Sequence, residues 1–357
     1  MRTFAATVAR GLAVLVLCGA AQAAPFAYIV NQGSNTVTVI DTASNAIVAT
    51  IPVVTGPSGI AVLPNGAFAY VASSITSAVS VVDTATNTVV ATIPTAAVSG
   101  IAALNPSGTR LYLSNTGAGT TSVIDTATNT VIATISTGFP VGEVVSPSGA
   151  LLYVAVALVN IIAVVDTATN TVTASIPSLG TPPLLLDMNP AGTRLYVTTQ
   201  GTNTVEVYDT ATNLMITAIP VGAGPEGIRV NPSGTRAYVA NFGDNTVSVI
   251  DLATNTVVAS IPVGANPSGV DVTPSGTRVF VTNFADNTVS VIDATTNLVV
   301  ATLPVGLGPL SLGRFIGGAP LAPAGPPVPT PTLSEWALLL VALLVAGVGA
   351  TALKRRA

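Results

Sequence analysis

One motif recurs along the chain at a nearly fixed period. Its clearest copy runs from Asn245 to Pro262, NTVSVIDLATNTVVASIP. The core, Val-(Ile/Val/Tyr)-Asp followed by a turn that ends in a Thr/Ser-Asn pair, places aspartates at Asp41, Asp83, Asp125, Asp166, Asp209, Asp251 and Asp293, spaced by 41 to 43 residues. A unit of this size cannot bury its apolar face alone, so repetition at this period restricts the chain to architectures in which copies stack on one another. At 357 residues the length would allow two average domains, but seven copies of one unit argue for a single closed body.

Within one unit, turn signals divide four β-rich runs: Glu226 to Asn231 (A), Arg236 to Asn241 (B), Thr246 to Asp251 (C) and Thr256 to Pro262 (D). Between A and B, Pro232-Ser233-Gly234 supplies a fixed φ and then a residue free to take positive φ, as a short hairpin requires. Between C and D, Asp251 and Asn255 can hydrogen-bond the turn backbone. Pro52, Pro94, Pro177, Pro220, Pro262 and Pro304 end the D runs, since proline cannot donate to a ladder. The apolar runs are nearly continuous, which predicts sheets covered on both faces, as stacked blades are. The chain begins with a B-like run at Phe26 and ends with an A-like run at Leu310 to Ile316, and these fragments add up to one blade. The prediction is an all-β, seven-bladed β-propeller over residues 24–317, closed by the last strand A against the first B, C and D.

Only 7% of residues are charged, and between Pro25 and Gly317 there are six arginines, no lysine and fourteen acids, a net charge of −8. Such a body lacks the basic footprint of nucleic-acid binding. Histidine is absent, which removes the commonest general base and metal ligand at neutral pH. No catalytic residue, metal site or cofactor is expected.

The two ends read as addresses. Residues 1–23 combine Arg2 and Arg10, an apolar run from Gly11 to Leu17 and the small residues Ala21 and Ala23 at a cleavage site, the pattern of a secretory signal peptide. Cys18 would leave with it; a lipoprotein signal needs a small residue where Leu17 stands. Residues 318–332 are rich in Pro, Ala and Gly and suit a semi-rigid spacer. Ala337 to Leu353 is an uninterrupted apolar run of 17 residues followed by Lys354, Arg355 and Arg356. At about 1.5 Å per residue it is long enough for a thin bilayer core, with its basic tail on the cytoplasmic side.

Pro331, Thr332, Leu333 and Trp336, then the apolar helix and basic tail over 333–357, resemble the IPTL-type C-terminal sorting signals of Gram-negative bacteria, with Thr330 where the motif usually has Ile. The resemblance implies an exosortase-like processing enzyme as a partner, and a plain membrane anchor with an interfacial Trp is the alternative. The B runs, such as Tyr70-Val71-Ala72-Ser73, Tyr196-Val197-Thr198-Thr199 and Tyr238-Val239-Ala240-Asn241, resemble the YVTN repeat propellers, a family of exported and surface proteins. Blade four departs, with Tyr153-Val154-Ala155-Val156 and an apolar Leu158 to Ile162.

The seven repeated aspartates each lack a second carboxylate at ligand spacing and read as turn caps. Four of them have an arginine fifteen residues earlier, at Arg110, Arg194, Arg236 and Arg278, which predicts four cross-strand ion pairs. At one position of strand A, successive blades carry Ala61, Ala103, Val144, Asp187, Arg229 and Asp271. Asp187, Arg229 and Asp271 are either a salt-bridge cluster tying inner strands together or a ligand site. Glu143 replaces the apolar residue of other blades. The A to B and C to D turns fall on one rim, uniform among the repeats, and the B to C and D to A loops on the other, which varies. Phe242, Asp244, Phe284 and Asp286 on the variable rim form a candidate patch for a protein or glycan ligand, with ordinary loop packing as the alternative. The leading expectation is an exported, envelope-anchored propeller that binds or scaffolds without catalysis. A propeller enzyme of lactonase or dehydrogenase type, and a self-assembling surface-layer component, are the rivals.

Overall fold

The computed structural model describes residues 25–96, 100–179 and 181–317. The predicted signal peptide, linker and sorting signal lie outside these residues. Among the described residues no helix is long and apolar enough to cross a membrane.

The four runs of one unit are strands at Pro225–Val230, Arg236–Asn241, Thr246–Asp251 and Thr256–Pro262, strands A to D of blade 6. They pair antiparallel in sequence order. With the six other sheets they form a seven-bladed propeller. Strand A begins at Pro225 rather than Glu226, because a proline can open a strand. Asn231 belongs to the turn instead: its Oδ1 accepts the amides of Thr235 and Arg236 at 2.9 and 3.0 Å.

Each turn is built by the residues that announced it. Gly234 has φ 68°, and a Cβ there would lie 2.9 Å from Pro190 in the turn of the preceding blade. The uniform Pro-x-Gly sequence thus serves the hairpin and blade packing together. At every C to D corner the aspartate Oδ1 accepts two backbone amides, as Asp166 does from Ala168 at 2.9 Å and Thr169 at 2.8 Å. These amide bonds hold Asp41, Asp125, Asp166, Asp209, Asp251 and Asp293 below the usual carboxylate range.

Two of the four expected Arg–Asp pairs form, Arg110–Asp125 at 2.5 Å and Arg194–Asp209 at 2.6 Å. Arg236 and Arg278 stand in register with Asp251 and Asp293 without an ion pair. Arg236 instead donates to the carbonyl of Ala294 in blade 7 at 3.0 Å. A partly exposed guanidinium gains little from a carboxylate that is also partly exposed, so a neighbouring carbonyl competes with it. Tyr70 of strand B makes a similar link, donating to Thr126 O and Asn129 Oδ1 of the next blade at 3.2 and 3.0 Å. Burial pushes its phenol up to about 12.

Strands B and C are buried along their middles, whereas strands D, the outer edges, alternate only weakly and are mostly exposed. Closure of the ring departs from a regular strand. Ile316 and Gly317 pair with Ala27 and Phe26 of the first strand B, and Pro309 bridges Asn31. Between them Leu312–Arg314 leaves blade 1 and pairs parallel with strand A of blade 2, Pro57–Val62. At the gap this leaves, Ser311 Oγ accepts the amide of Val30 at 2.8 Å.

Candidate functional site

The inner strands Pro57–Val62, Ala102–Leu104, Pro140–Val145, Pro183–Met188, Pro225–Val230 and Pro267–Val272 surround the propeller axis with the closing segment. Near their starts they approach backbone to backbone: a Cβ on Gly227 would lie 2.3 Å from Ser268 O. The closing segment lies across the axis at this inner end. Gly313 O accepts from Arg229 of blade 6 at 2.7 Å, and Leu312 packs on the cluster containing Ile101, Leu185 and Ile228. Beyond it the channel widens into a cavity of about 580 Å³ lined by the later halves of the inner strands and by A to B turn prolines such as Pro64, Pro147 and Pro232. Its mouth therefore lies on the uniform rim, the one whose sequence reads as scaffold.

Asp187, Arg229 and Asp271 come together on its wall, at 0%, 7% and 3% exposure. Arg229 Nε lies 2.9 Å from Asp271 Oδ1 and its Nη1 3.5 Å from Asp187 Oδ2. Burial opposes the guanidinium charge, but Asp271 and Asp187 outweigh it and raise the pKa. Asp187 also accepts the Val230 amide at 2.8 Å and faces Arg314 Nη2 at 3.4 Å. The second oxygen of Asp271 accepts the amides of Phe315 and Ile316, each at 2.8 Å. Every carboxylate oxygen is engaged within the protein, so the cluster works as a tie that fixes blades 5 to 7 to the closing segment.

Glu143 differs. It lines the same cavity from blade 4 at 6% exposure, and neither of its carboxylate oxygens has a hydrogen-bond partner. Burial pushes its carboxyl up to about 8, although the nearby Ser114 and the backbone of Ala103 favour the charged form. At neutral pH the group is mostly protonated and can donate or, once ionised, accept.

On the variable rim, Phe242 and Phe284 are half-buried and Asp244 and Asp286 exposed. Asp244 Oδ2 accepts the Ala223 amide at 2.6 Å and Asp286 Oδ2 the Ala265 amide at 2.7 Å. Each acid thus pins the adjacent D to A loop. The sorting residues Pro331, Thr332, Leu333 and Trp336, and the cleavage residues Ala21 and Ala23, lie outside the described residues.

Three further charged residues, of which only Arg314 lines the cavity, are not legible from the motif spacing. Arg314 joins the tie only because the closing strand is diverted. Glu206, fully buried in blade 5, accepts from the Leu179 amide at 2.9 Å, Ser178 Oγ at 2.8 Å and Tyr208 Oη at 2.6 Å. Aligning the C strands would have shown the pair, since other blades carry Ser, Thr or Ala for Glu206 and Ile or Val for Tyr208. Glu226, in blade 6, is pushed up to about 7 by burial and leaves Oε2 without a partner.

Residues 191–315 match the YNCE-like beta-propeller family and residues 327–356 the IPTL-CTERM motif. No curated protein matches the sequence. Hydrazine synthase of Kuenenia stuttgartiensis is 24% identical with a TM-score of 0.67, over 72% of this chain and 88% of its own. A candidate 6-phosphogluconolactonase of Bacteroides uniformis is 18% identical with a TM-score of 0.67, over 80% and 98%. The dihydro-heme d1 dehydrogenase NirN is 17% identical with a TM-score of 0.59, and this chain spans 64% of its length and aligns over 79% of its own. At such identities these likenesses concern the fold.

Proposed function

From a YNCE-like repeat propeller joined to an IPTL-type C-terminal sorting motif, we propose an exported, envelope-anchored binding module that performs no chemistry of its own. The sorting motif suggests export and association with the cell surface. The finer reading adds a signal peptide removed after Ala23, a membrane helix at 337–353, exosortase-like processing and a Gram-negative source. The observation that carries binding is the cavity, roomy enough for a small molecule and lined by an acid with no partner in the protein. The non-catalytic reading is supported by its wall, where Asp187 and Asp271 are committed to Arg229 and to backbone amides. The lactonase and dehydrogenase names among the structural neighbours supply the rival reading.

Production of the full chain in a Gram-negative host, with and without residues 327–356, tests this. The full chain is expected in the envelope fraction with the propeller accessible to added protease, and the truncated chain is expected to leave that fraction. Retention of both in the cytoplasm would overturn export; turnover in a hydrolase and dehydrogenase panel would overturn the non-catalytic reading.

One observation favours a second reading, self-assembly. The D strands expose apolar residues around the circumference, among them Val48 at 49%, Val90 at 53%, Val258 at 52% and Val300 at 49%. These edges carry no charged residue, the usual guard against edge pairing. Light scattering that reports only monomers at high concentration would remove it.

A further inference from the structure

We propose that the channel cavity is a site for a small organic ammonium ion, with Glu143 as the acceptor for its head and Ile101, Leu185 and Leu186 as the wall for its apolar stem. The proposal rests on the binding reading above and adds the chemistry of the ligand. A volume of about 580 Å³ falls within the usual range of about 300–1,000 Å³ for small-molecule sites. Neither carboxylate oxygen of Glu143 has a hydrogen-bond partner in the protein, although Ser114 and the Ala103 backbone lie near it. A buried acceptor without a partner is costly to the fold, and a ligand donor placed against it removes that cost.

The sign of the ligand follows from the charges facing the cavity. They are the acids Glu143, Asp187 and Asp271 and the cations Arg229 and Arg314. Arg229 is shared by Asp187 and Asp271, and Arg314 faces Asp187. Neither cation forms an ion pair with Glu143, and the three acids outnumber the two cations. A hard divalent metal requires about 6–8 oxygens, and Glu143 offers one free carboxylate, whereas an ammonium head needs only a few acceptors. The apolar side chains flanking blade 4 suit a hydrocarbon stem. The net charge of −8 between Pro25 and Gly317 draws cations toward the body.

The test uses the full chain in nonionic-detergent micelles, with ligand-detected NMR titrations of n-butylammonium and, as the neutral analogue, n-butanol. Wild type is expected to bind n-butylammonium at least tenfold more tightly than n-butanol. Glu143→Gln is expected to lose at least tenfold in n-butylammonium affinity. Glu226→Gln is expected to retain it, because Glu226 lies outside the cavity lining. Ionising Glu143 is part of binding, so affinity is expected to rise about tenfold per pH unit from pH 6 and to level off near the carboxyl value of about 8. Tyr112, the titratable group of blade 3 that feels Glu143, is held above its ordinary value by burial and stays neutral in this range. If Glu143→Gln fails to fold, the pH series on wild type decides. Equal binding of the two probes, or an affinity indifferent to both Glu143→Gln and pH, would overturn the ammonium site and leave the binding module standing. Absence of binding by both probes and by a broad panel of anionic and neutral metabolites would overturn both.

Discussion

The two halves of the inner ring solve the same packing problem differently. At one position of strand A, blades 2 to 4 carry Ala61, Ala103 and Val144, and blades 5 to 7 carry Asp187, Arg229 and Asp271. The first half is held by small apolar side chains that let inner strands approach. The second is held by a buried ionic tie whose outer oxygens reach Arg314, Phe315 and Ile316 of the closing segment. A closing segment that makes few ladder bonds needs directional partners to set its register, and charge-assisted hydrogen bonds provide them where dispersion cannot. Glu143 is the exception in the apolar half: a charge-capable group with no tie.

The largest effect should come from removing the cation of the tie. Arg229→Ala leaves Asp187 and Asp271 buried without a counter-charge and is expected to cost about 3–5 kcal/mol in chemical denaturation. Val144→Ala, the counterpart in the apolar half, should cost about 2 kcal/mol or less. Equal costs would erase the distinction between the halves.

Glu143 should give the apolar half a pH dependence of its own. Its folded value of about 8 lies above the ordinary 4.5, so the folded state holds the extra proton between them and stability falls as pH rises through that window. The slope approaches about 1.4 kcal/mol per pH unit, a few kcal/mol in all, and flattens above the folded value. In a denaturation series from pH 5 to 9, Glu143→Gln should remove this contribution, most clearly between pH 7 and 8, and leave the smaller fall that Glu226, raised by burial to about 7, adds below that.

Asp271→Ala sharpens the role assigned to the tied half. Loss of two amide bonds to a carboxylate, each worth about 1.5–3 kcal/mol, should speed hydrogen exchange at Phe315 and Ile316 by about tenfold or more. Exchange that is unchanged there while the protein loses global stability would show that the tie does not hold the closing segment.

The smallest effect is expected outside the channel. Asp166→Ala removes the two amide bonds and the Thr169 hydroxyl bond of an exposed corner and should lower Tm less than any substitution above. The sign of its pH dependence is opposite to that of Glu143. Backbone amides hold this carboxylate below 3.8, so its contribution is present at neutral pH and fades as pH falls through the depressed value. Acid titration of wild type and Asp166→Ala by thermal melting checks it.

The blades were legible because their signals are local. β-branched runs bounded by Pro, Gly and Asn define strands and corners within a few residues, and repetition confirms each one. The three members of the tie were visible as charges at one repeat position, and Glu143 as an acid where blades 2 and 6 carry Ile60 and Ile228. The partner of Arg236 was not, because Asp251 in register and Ala294 O in the next blade are equivalent choices until the angle between blades is set. The cavity on the uniform rim was not legible either, since uniform turn sequences say nothing about the space their strands enclose.

Sequence alone determined the number of blades, the order of strands and the corner aspartates, all fixed by short-range backbone chemistry repeated along the chain. Tertiary structure decided how the ring closes. Once seven inner strands converge, Leu312–Arg314 crosses the axis, and that excursion brings Arg314 to Asp187, bounds the cavity and leaves Glu143 facing it without a partner. These contacts join residues from blades far apart in the chain, and burial, which sets their charges and their needs, exists only after the ring is shut.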